Sequence, residues 1–180
     1  MVLYLTGEVN GNMVATLSNA LNDLQQDDIL VIYFASLGGS LADCLVMVDM
    51  VNMFKDHIVI KGFDALGSAG FIFFYSATCK KVILPYTIGL AHYGYMSIDL
   101  NQGGSHIPNT LESYAYSEFI KTRDEFVAFY KSLGMTKKEI SDIQKGLDVY
   151  FSTERLQTLL DKTQIKYAEK TKHINKCRAR

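Results

Sequence analysis

The feature that most constrains this chain is a repeated unit, in which an apolar, β-rich run ends in small residues and passes at once into a segment with helical spacing. Ile29 to Ala35 is a continuous apolar run of seven residues, broken at Gly38-Gly39, after which Leu41, Cys44, Leu45, Val48 and Val51 mark one face of a helix. The unit is already present upstream. Val2 to Leu5 reads as a short strand, and beyond the turn at Asn10-Gly11 the positions Met13, Val14, Leu17, Leu21 and Leu24 recur at helical intervals. It returns downstream, with a strand from His57 to Lys61, an apolar helix from Gly67 to Thr78, and further strands at Val82 to Leu84 and Ile88 to His92. Such alternation implies parallel strands joined by crossover helices, hence an α/β fold with a mostly parallel sheet. No linker interrupts it, so residues 1–180 read as a single domain.

The second half has a different character. Leu111, Ala115, Phe119, Phe126, Phe129 and Leu133 form a stripe along a helix of more than twenty residues that ends at Gly134. Aromatics lie all around it, Tyr114, Tyr116 and Tyr130 included, which predicts that more than one face is covered. A capping box, Thr136 with Glu139, opens a short helix stopping near Gly146, and Ser152 is placed to cap another through Leu160. Between these two lies Asp148.

Several classes are excluded or disfavoured. The charged fraction of 21% and hydrophobic fraction of 48% do not fit a disordered chain. The longest apolar run is far short of the roughly 20 residues a spanning helix needs, and no basic residue precedes the first apolar segment, so neither a membrane span nor a secretory signal is expected. Cys44, Cys79 and Cys177 are odd in number and lack metal-ligand spacing, which points away from a disulfide framework or a metal site and toward a reducing cytoplasm. Net charge is −1, but residues 1–50 hold six acids and no Lys or Arg, whereas residues 161–180 hold seven bases and two acids. That basic stretch is interleaved with Asp161 and Glu169 and reads as a solvated, frayed tail rather than a nucleic-acid surface.

Four places could carry chemistry. Gly38-Gly39 stands where a buried strand meets a helix, the edge at which α/β sheets bind ligands, though alone it reads equally as a tight turn. Gly67-Ser68-Ala69-Gly70 occupies the same place one unit later, and Ser68 taken alone reads as an N-cap. His92 closes an apolar strand and Asp148 precedes Val149-Tyr150-Phe151-Ser152; each taken singly is a structural residue. Together, Ser, His and Asp supply a nucleophile, a base to take its proton and a carboxylate to hold the base's tautomer.

In order and spacing the set resembles the Clp peptidase (ClpP) family, with 29 residues from Gly39 to Ser68 and 24 from Ser68 to His92. The resemblance runs from Leu5-Thr6-Gly7 to about Asp161. It implies a fold of the ClpP/crotonase type, with a long protruding handle helix over Leu111–Leu133 through which two rings join. It implies a serine endopeptidase acting on unfolded or flexible polypeptide inside a homo-oligomeric chamber, without metal or organic cofactor. Ser68 would be the nucleophile, His92 the general base and acid, and Asp148 the orienting carboxylate, with Asp142 as the understudy. The N–H groups of Gly39 and Ala69 would form the oxyanion hole. Substrate would lie as an added strand between Gly38-Gly39 and Tyr93–Ser97, with Tyr93 and Gly94 in contact.

Three departures bear on the groove rather than on the triad. Leu37 stands where the family usually has Pro, Tyr93-Gly94 replaces its Gln-Pro, and the segment Asp99 to Asn109 is longer than usual. The first strand also starts without the family's pore-lining segment ahead of it, leaving an ATPase unfoldase as an open partner. Such shortened forms resemble peptidase-like proteins of phages and mobile elements, head-maturation proteases among them. Two other readings stay open: a catalytically silent ring or scaffold subunit, and a crotonase-like acyl-CoA enzyme, for which the chain lacks a clear pair of acid/base Glu residues.

Overall fold

The computed structural model describes residues 1–94 and 109–164, with side chains described outside 109–120. Residues 95–97 of the expected substrate segment, most of Asp99 to Asn109, the side chains in the first half of the helical stripe and most of the basic tail lie outside that description.

The strand–helix units form as the spacing predicts. They are β1 (Val2–Val9), α1 (Gly11–Asn22), β2 (Leu30–Gly39), α2 (Leu41–Met53), β3 (Ile58–Gly67) and α3 (Ala69–Ser76), with a short 3₁₀ turn at Lys55–His57. Two short strands follow, β4 (Lys80–Ile83) and β5 (Ile88–Ala91), and then α4 (Asn109–Leu133), α5 (Lys137–Gln144), β6 (Val149–Phe151) and a helix α6 over 153–164. Asn10 caps α1 by accepting the Asn12 and Met13 N–H groups, and Ser40 caps α2 by accepting that of Asp43.

The sheet is mixed but mostly parallel, in the order β1-β2-β3-β5-β6. β3 serves two partners along one edge: β4 pairs with its first half, from Val59↔Lys80 to Gly62↔Ile83, and β5 with its second, from Ala65↔Ile88 to Gly67↔Leu90. β6 closes the edge and runs antiparallel to β5. One face of β1–β3 is Leu5, Val9, Leu30, Ile32, Phe34, Ile58 and Ile60, all at most 2% exposed, and it lies against α1–α3. Each such side chain contributes about 1.5–3 kcal/mol of transfer free energy. α3 is buried from Ala69 through Tyr75, wedged between the sheet and α2, so its apolar residues show no stripe. The other face of the sheet carries Tyr4 stacked on Tyr33 at 5.0 Å and Phe63 edge-on to Tyr33 at 6.3 Å.

α4 is 25 residues long, hence about 37 Å. It ends at Gly134, whose φ of +85° lets the Met135 N–H reach back to the Tyr130 carbonyl at 3.3 Å. In its second half Val127, Tyr130 and Leu133 are buried while Phe126 and Phe129 are only partly so. The inward face is thus turned slightly from the expected stripe, because Tyr130 is drawn toward the end of β5. The Thr136–Glu139 capping box forms in both directions, and Ser152 caps α6 by accepting the Arg155 N–H at 3.3 Å. Among the described residues no helix is long and apolar enough to cross a membrane.

Candidate active site

β3 ends at Gly67 and α3 begins at Ala69, so Ser68 alone makes the turn from strand to helix. It does so at φ +51°, ψ −121°, a backbone conformation that costs a residue with a Cβ about 1–3 kcal/mol. The turn is pinned on both sides, with the Ser68 N–H donating to the Leu90 carbonyl at 2.9 Å and the Ser68 carbonyl accepting the Ile72 N–H at 3.1 Å. Although Ser68 stands at the N-cap of α3, its side chain makes no capping bond. Its hydroxyl instead lies 2.7 Å from Nε2 of His92.

His92 follows β5 directly. Its carbonyl accepts the hydroxyl of Tyr130 at 3.1 Å, and Tyr130 is itself 1% exposed. Nδ1 lies 3.3 Å from Oδ1 of Asp148. Register explains the meeting: Ala91↔Val149 is the last pair of the β5–β6 ladder, so the residues just beyond it are His92 and Asp148. The chain arrives there through Gly146 at φ +81°, whose N–H caps the Ile143 carbonyl at the end of α5. Asp142 is elsewhere, 2.7 Å from Lys138 on the outer side of α5. The His92 side chain is 16% exposed and that of Asp148 42%, so the carboxylate meets solvent while the imidazole is mostly covered.

Gly38 forms the other wall beside Ser68. Its φ is +123°, and a Cβ built on it would sit 2.6 Å from the Ser68 Cβ and 3.3 Å from the Ala69 nitrogen. Only glycine fits at this point of β2, against Ser68. Gly39, at φ +144°, lies against the backbone of Val9. The glycine pair is therefore not the break that the sequence suggests: β2 runs on through it, pairing Glu8↔Gly38 and Val9↔Gly39 with β1. Ala69 is the first residue of α3, where an N–H has no carbonyl within its own helix to bond. Tyr93 sits under Arg123, whose guanidinium carbon is 4.4 Å from the ring centroid, and Gly94 is exposed. A groove of about 440 Å³ runs alongside, lined by Gly7, Glu8, Leu37, Gly38 and Gly39.

Other candidate nucleophiles nearby are silent. Cys44 donates its thiol to the Ala69 carbonyl at 3.1 Å, and burial pushes its pKa up to about 12, so no thiolate forms at neutral pH. With the ring proton on Nδ1 facing Asp148, Nε2 of His92 is left to accept from the Ser68 hydroxyl, the arrangement that general-base activation of a serine needs.

Three supporting groups escaped the sequence reading. Ser36, 3% exposed, accepts the Gly38 N–H at 3.0 Å and donates to the Gly38 carbonyl at 3.2 Å, fixing the glycine beside Ser68. Tyr130 holds the backbone of His92, and nothing in a helical stripe tells a phenol used for its hydroxyl from one used for its ring. Arg155 grips Glu139 with Nε at 2.8 Å and a second nitrogen at 2.7 Å, bracing α6 against α5 and so the segment that carries Asp148. The capping box announced Glu139 but not this second duty.

Comparison with known proteins finds that the family model described as Clp protease matches residues 1–155. Among solved structures, a point mutant of ClpP1 from Listeria monocytogenes is similar, with a TM-score of 0.67 and 20% sequence identity, over 88% of this chain and 86% of that one. No curated protein matches by sequence.

Proposed function

Because this chain belongs to the Clp protease family, we propose that it is a serine endopeptidase that cleaves unfolded or flexible polypeptide through an acyl-enzyme at Ser68. The observation that carries the reading is the strained Ser68 turn, whose hydroxyl forgoes capping to meet Nε2 of His92 at 2.7 Å while Nδ1 faces Asp148.

In this reading the Ser68 Oγ attacks the scissile carbonyl as its proton passes to His92 Nε2. Collapse of the tetrahedral intermediate breaks the C–N bond, and the same proton goes to the leaving amine. A water, deprotonated by His92, then hydrolyses the ester. Asp148 holds the imidazole's tautomer and offsets the charge it gains. The N–H groups of Gly39 and Ala69 receive the oxyanion, and each such donor is worth about 10²–10³ in rate. Substrate lies extended along Gly38-Gly39 on one side and the segment from Tyr93 and Gly94 on the other, its backbone supplying most of the affinity.

The protein works as a homo-oligomer, in which a ring or stacked rings enclose the sites and α4 serves as the handle between rings. The sheet face where Tyr4, 64% exposed, stacks on Tyr33 supports assembly, since a second copy would cover aromatic surface that the described residues leave wet. The setting is cytoplasmic, and an ATPase unfoldase is a partner that the assembly could feed from.

Intact-mass labelling with a fluorophosphonate at neutral pH, on wild type and Ser68→Ala, with gel filtration of the same samples, tests this. A single adduct that vanishes in the variant is the expected result. A large, folded oligomer that takes no label would instead be a silent ring subunit.

A further inference from the structure

The groove beside Ser68 is unusual in what stands over it. It is lined by Gly7, Gly38 and Gly39, and among the described residues the side chains that line it are those of Leu37 and Glu8. Leu37 is 70% exposed, the aliphatic residue that stands where a proline was expected. Glu8 is exposed as well, and it is aimed at the groove by a local irregularity. Gly7, at φ +99°, shifts the β1–β2 register between Thr6 and Glu8, after which Glu8 pairs with Gly38. The Glu8 side chain then lies against Gly39, its Cγ 2.9 Å from where a Cβ on Gly39 would be.

Glu8 also stands at the divide between this groove and a second recess of about 250 Å³, shared with Tyr4, Thr6, Asn10, Asn12 and Thr16. Among the described residues it is the one charged residue lining either. Residues 1–50, which build β1, α1, β2 and most of α2, contain no Lys or Arg.

An occupant therefore meets glycine backbone, one aliphatic side chain and one carboxylate. We propose that this groove is a substrate subsite for a basic side chain, with Leu37 covering the aliphatic stem of a lysine or arginine and Glu8 receiving its cationic head. Long cationic side chains are amphipathic in just this sense, and an acidic side chain in the same place would meet like charge. The proposal rests on the peptidase reading above and adds the substrate class, making Glu8 the specificity-determining residue of a groove that otherwise reads only backbone.

The test uses the full chain and matched fluorogenic peptides carrying Lys, Gln or Glu at one position at a time, at low ionic strength. Cleavage should favour Lys over Gln at one position by about fivefold, the size of one partly exposed charge pair, with Glu poorer still. Glu8→Gln should erase the preference and Glu8→Lys invert it, and 0.5 M salt should weaken it in wild type. Both variants are checked for wild-type circular dichroism and elution volume.

An unchanged Lys-to-Glu ratio in Glu8→Gln, or no basic preference at any position, would overturn the proposal. Fluorescence anisotropy of the same peptides on Ser68→Ala separates the two readings. Glu8-dependent preference for the Lys peptide without any cleavage by wild type would keep the subsite and defeat the peptidase. Cleavage without preference would do the reverse.

Discussion

Replacing Asp148 by alanine probes the wettest contact in the Ser68–His92–Asp148 chain, and its cost can be worked from the geometry. A carboxylate 3.3 Å from an imidazolium stabilises it by about 5 kcal/mol at an effective dielectric of 20, but by only about 1.3 kcal/mol at that of bulk water. With 42% of the Asp148 side chain exposed, an effective dielectric of about 40 to 80 applies, which gives about 2.5 to about 1.3 kcal/mol. At about 1.4 kcal/mol per decade, Asp148→Ala should slow acylation by roughly 10- to 70-fold, well short of the about 10⁴ associated with disabling a buried triad carboxylate. Water can fill the vacated place and accept from Nδ1. Asp148→Asn should be worse than alanine, because its amide can donate to Nδ1 and leave the ring proton on Nε2, where it blocks the serine. Asp142→Ala, which loses only its pairing with Lys138, should stay near wild type. The assay is kcat/KM on a short ester or peptide at pH 7–8, together with the second-order rate of fluorophosphonate labelling. A loss in Asp148→Ala as complete as in Ser68→Ala would refute the dielectric argument, and a larger loss in Asp142→Ala would refute the assignment.

Three further outcomes follow from contacts around the site. Gly38→Ala, which places a Cβ 2.6 Å from that of Ser68 at a φ of +123°, should retain the fold by circular dichroism but lose at least about tenfold in hydrolysis and more than about 1 kcal/mol in stability. Tyr130→Phe removes the donor to the His92 carbonyl and should cost about 1 kcal/mol in denaturant melts, lowering kcat several-fold while KM holds, since the phenol does not line the groove. Lys81 donates to the Tyr75 and Ala77 carbonyls at the far end of α3, and burial lowers its pKa from 10.5 to about 8. Between these values the unfolded chain binds more protons than the folded one, so this group adds stability as pH rises from about 8 to 10.5 and withdraws it below. Subtracting the Tm-versus-pH curve of Lys81→Met from that of wild type should reveal that upward slope, and a flat difference would show that Lys81 is not buried as described.

The strand–helix alternation and the capping signals were legible because each is local: a run of one period, or a Thr three residues before a Glu. What was not legible depends on pairing across the sheet. Gly38-Gly39 looks like a stop in one dimension, yet β1 alongside supplies partners that carry β2 through it. β6 is three residues long and gives no signal of its own, so only its register against β5 brings Asp148 rather than Asp142 beside His92. α3 is apolar on all sides, so its start at Ala69 rather than Gly67 could not be read from periodicity. The turn at Ser68 is set instead by the bond from its N–H to Leu90. Glu8 was visible only as one of six acids, because its place over the groove depends on the bulge at Gly7.

The position of Asp148 also has a thermal consequence. It lies past the end of a three-residue strand at the margin of the sheet, anchored inward by Phe151 stacked on Phe71 at 5.6 Å, while Tyr150 is 69% exposed. Short margins of this kind fray with local opening free energies well below that of global unfolding. Warming should therefore detach the carboxylate while β1–β3 and α3 are still intact, so heat inactivation precedes heat denaturation and reverses on cooling. For the proposed peptidase, the temperature range of the chemistry is then governed by the grip of Phe151 and of the Arg155–Glu139 clasp rather than by the strength of the core.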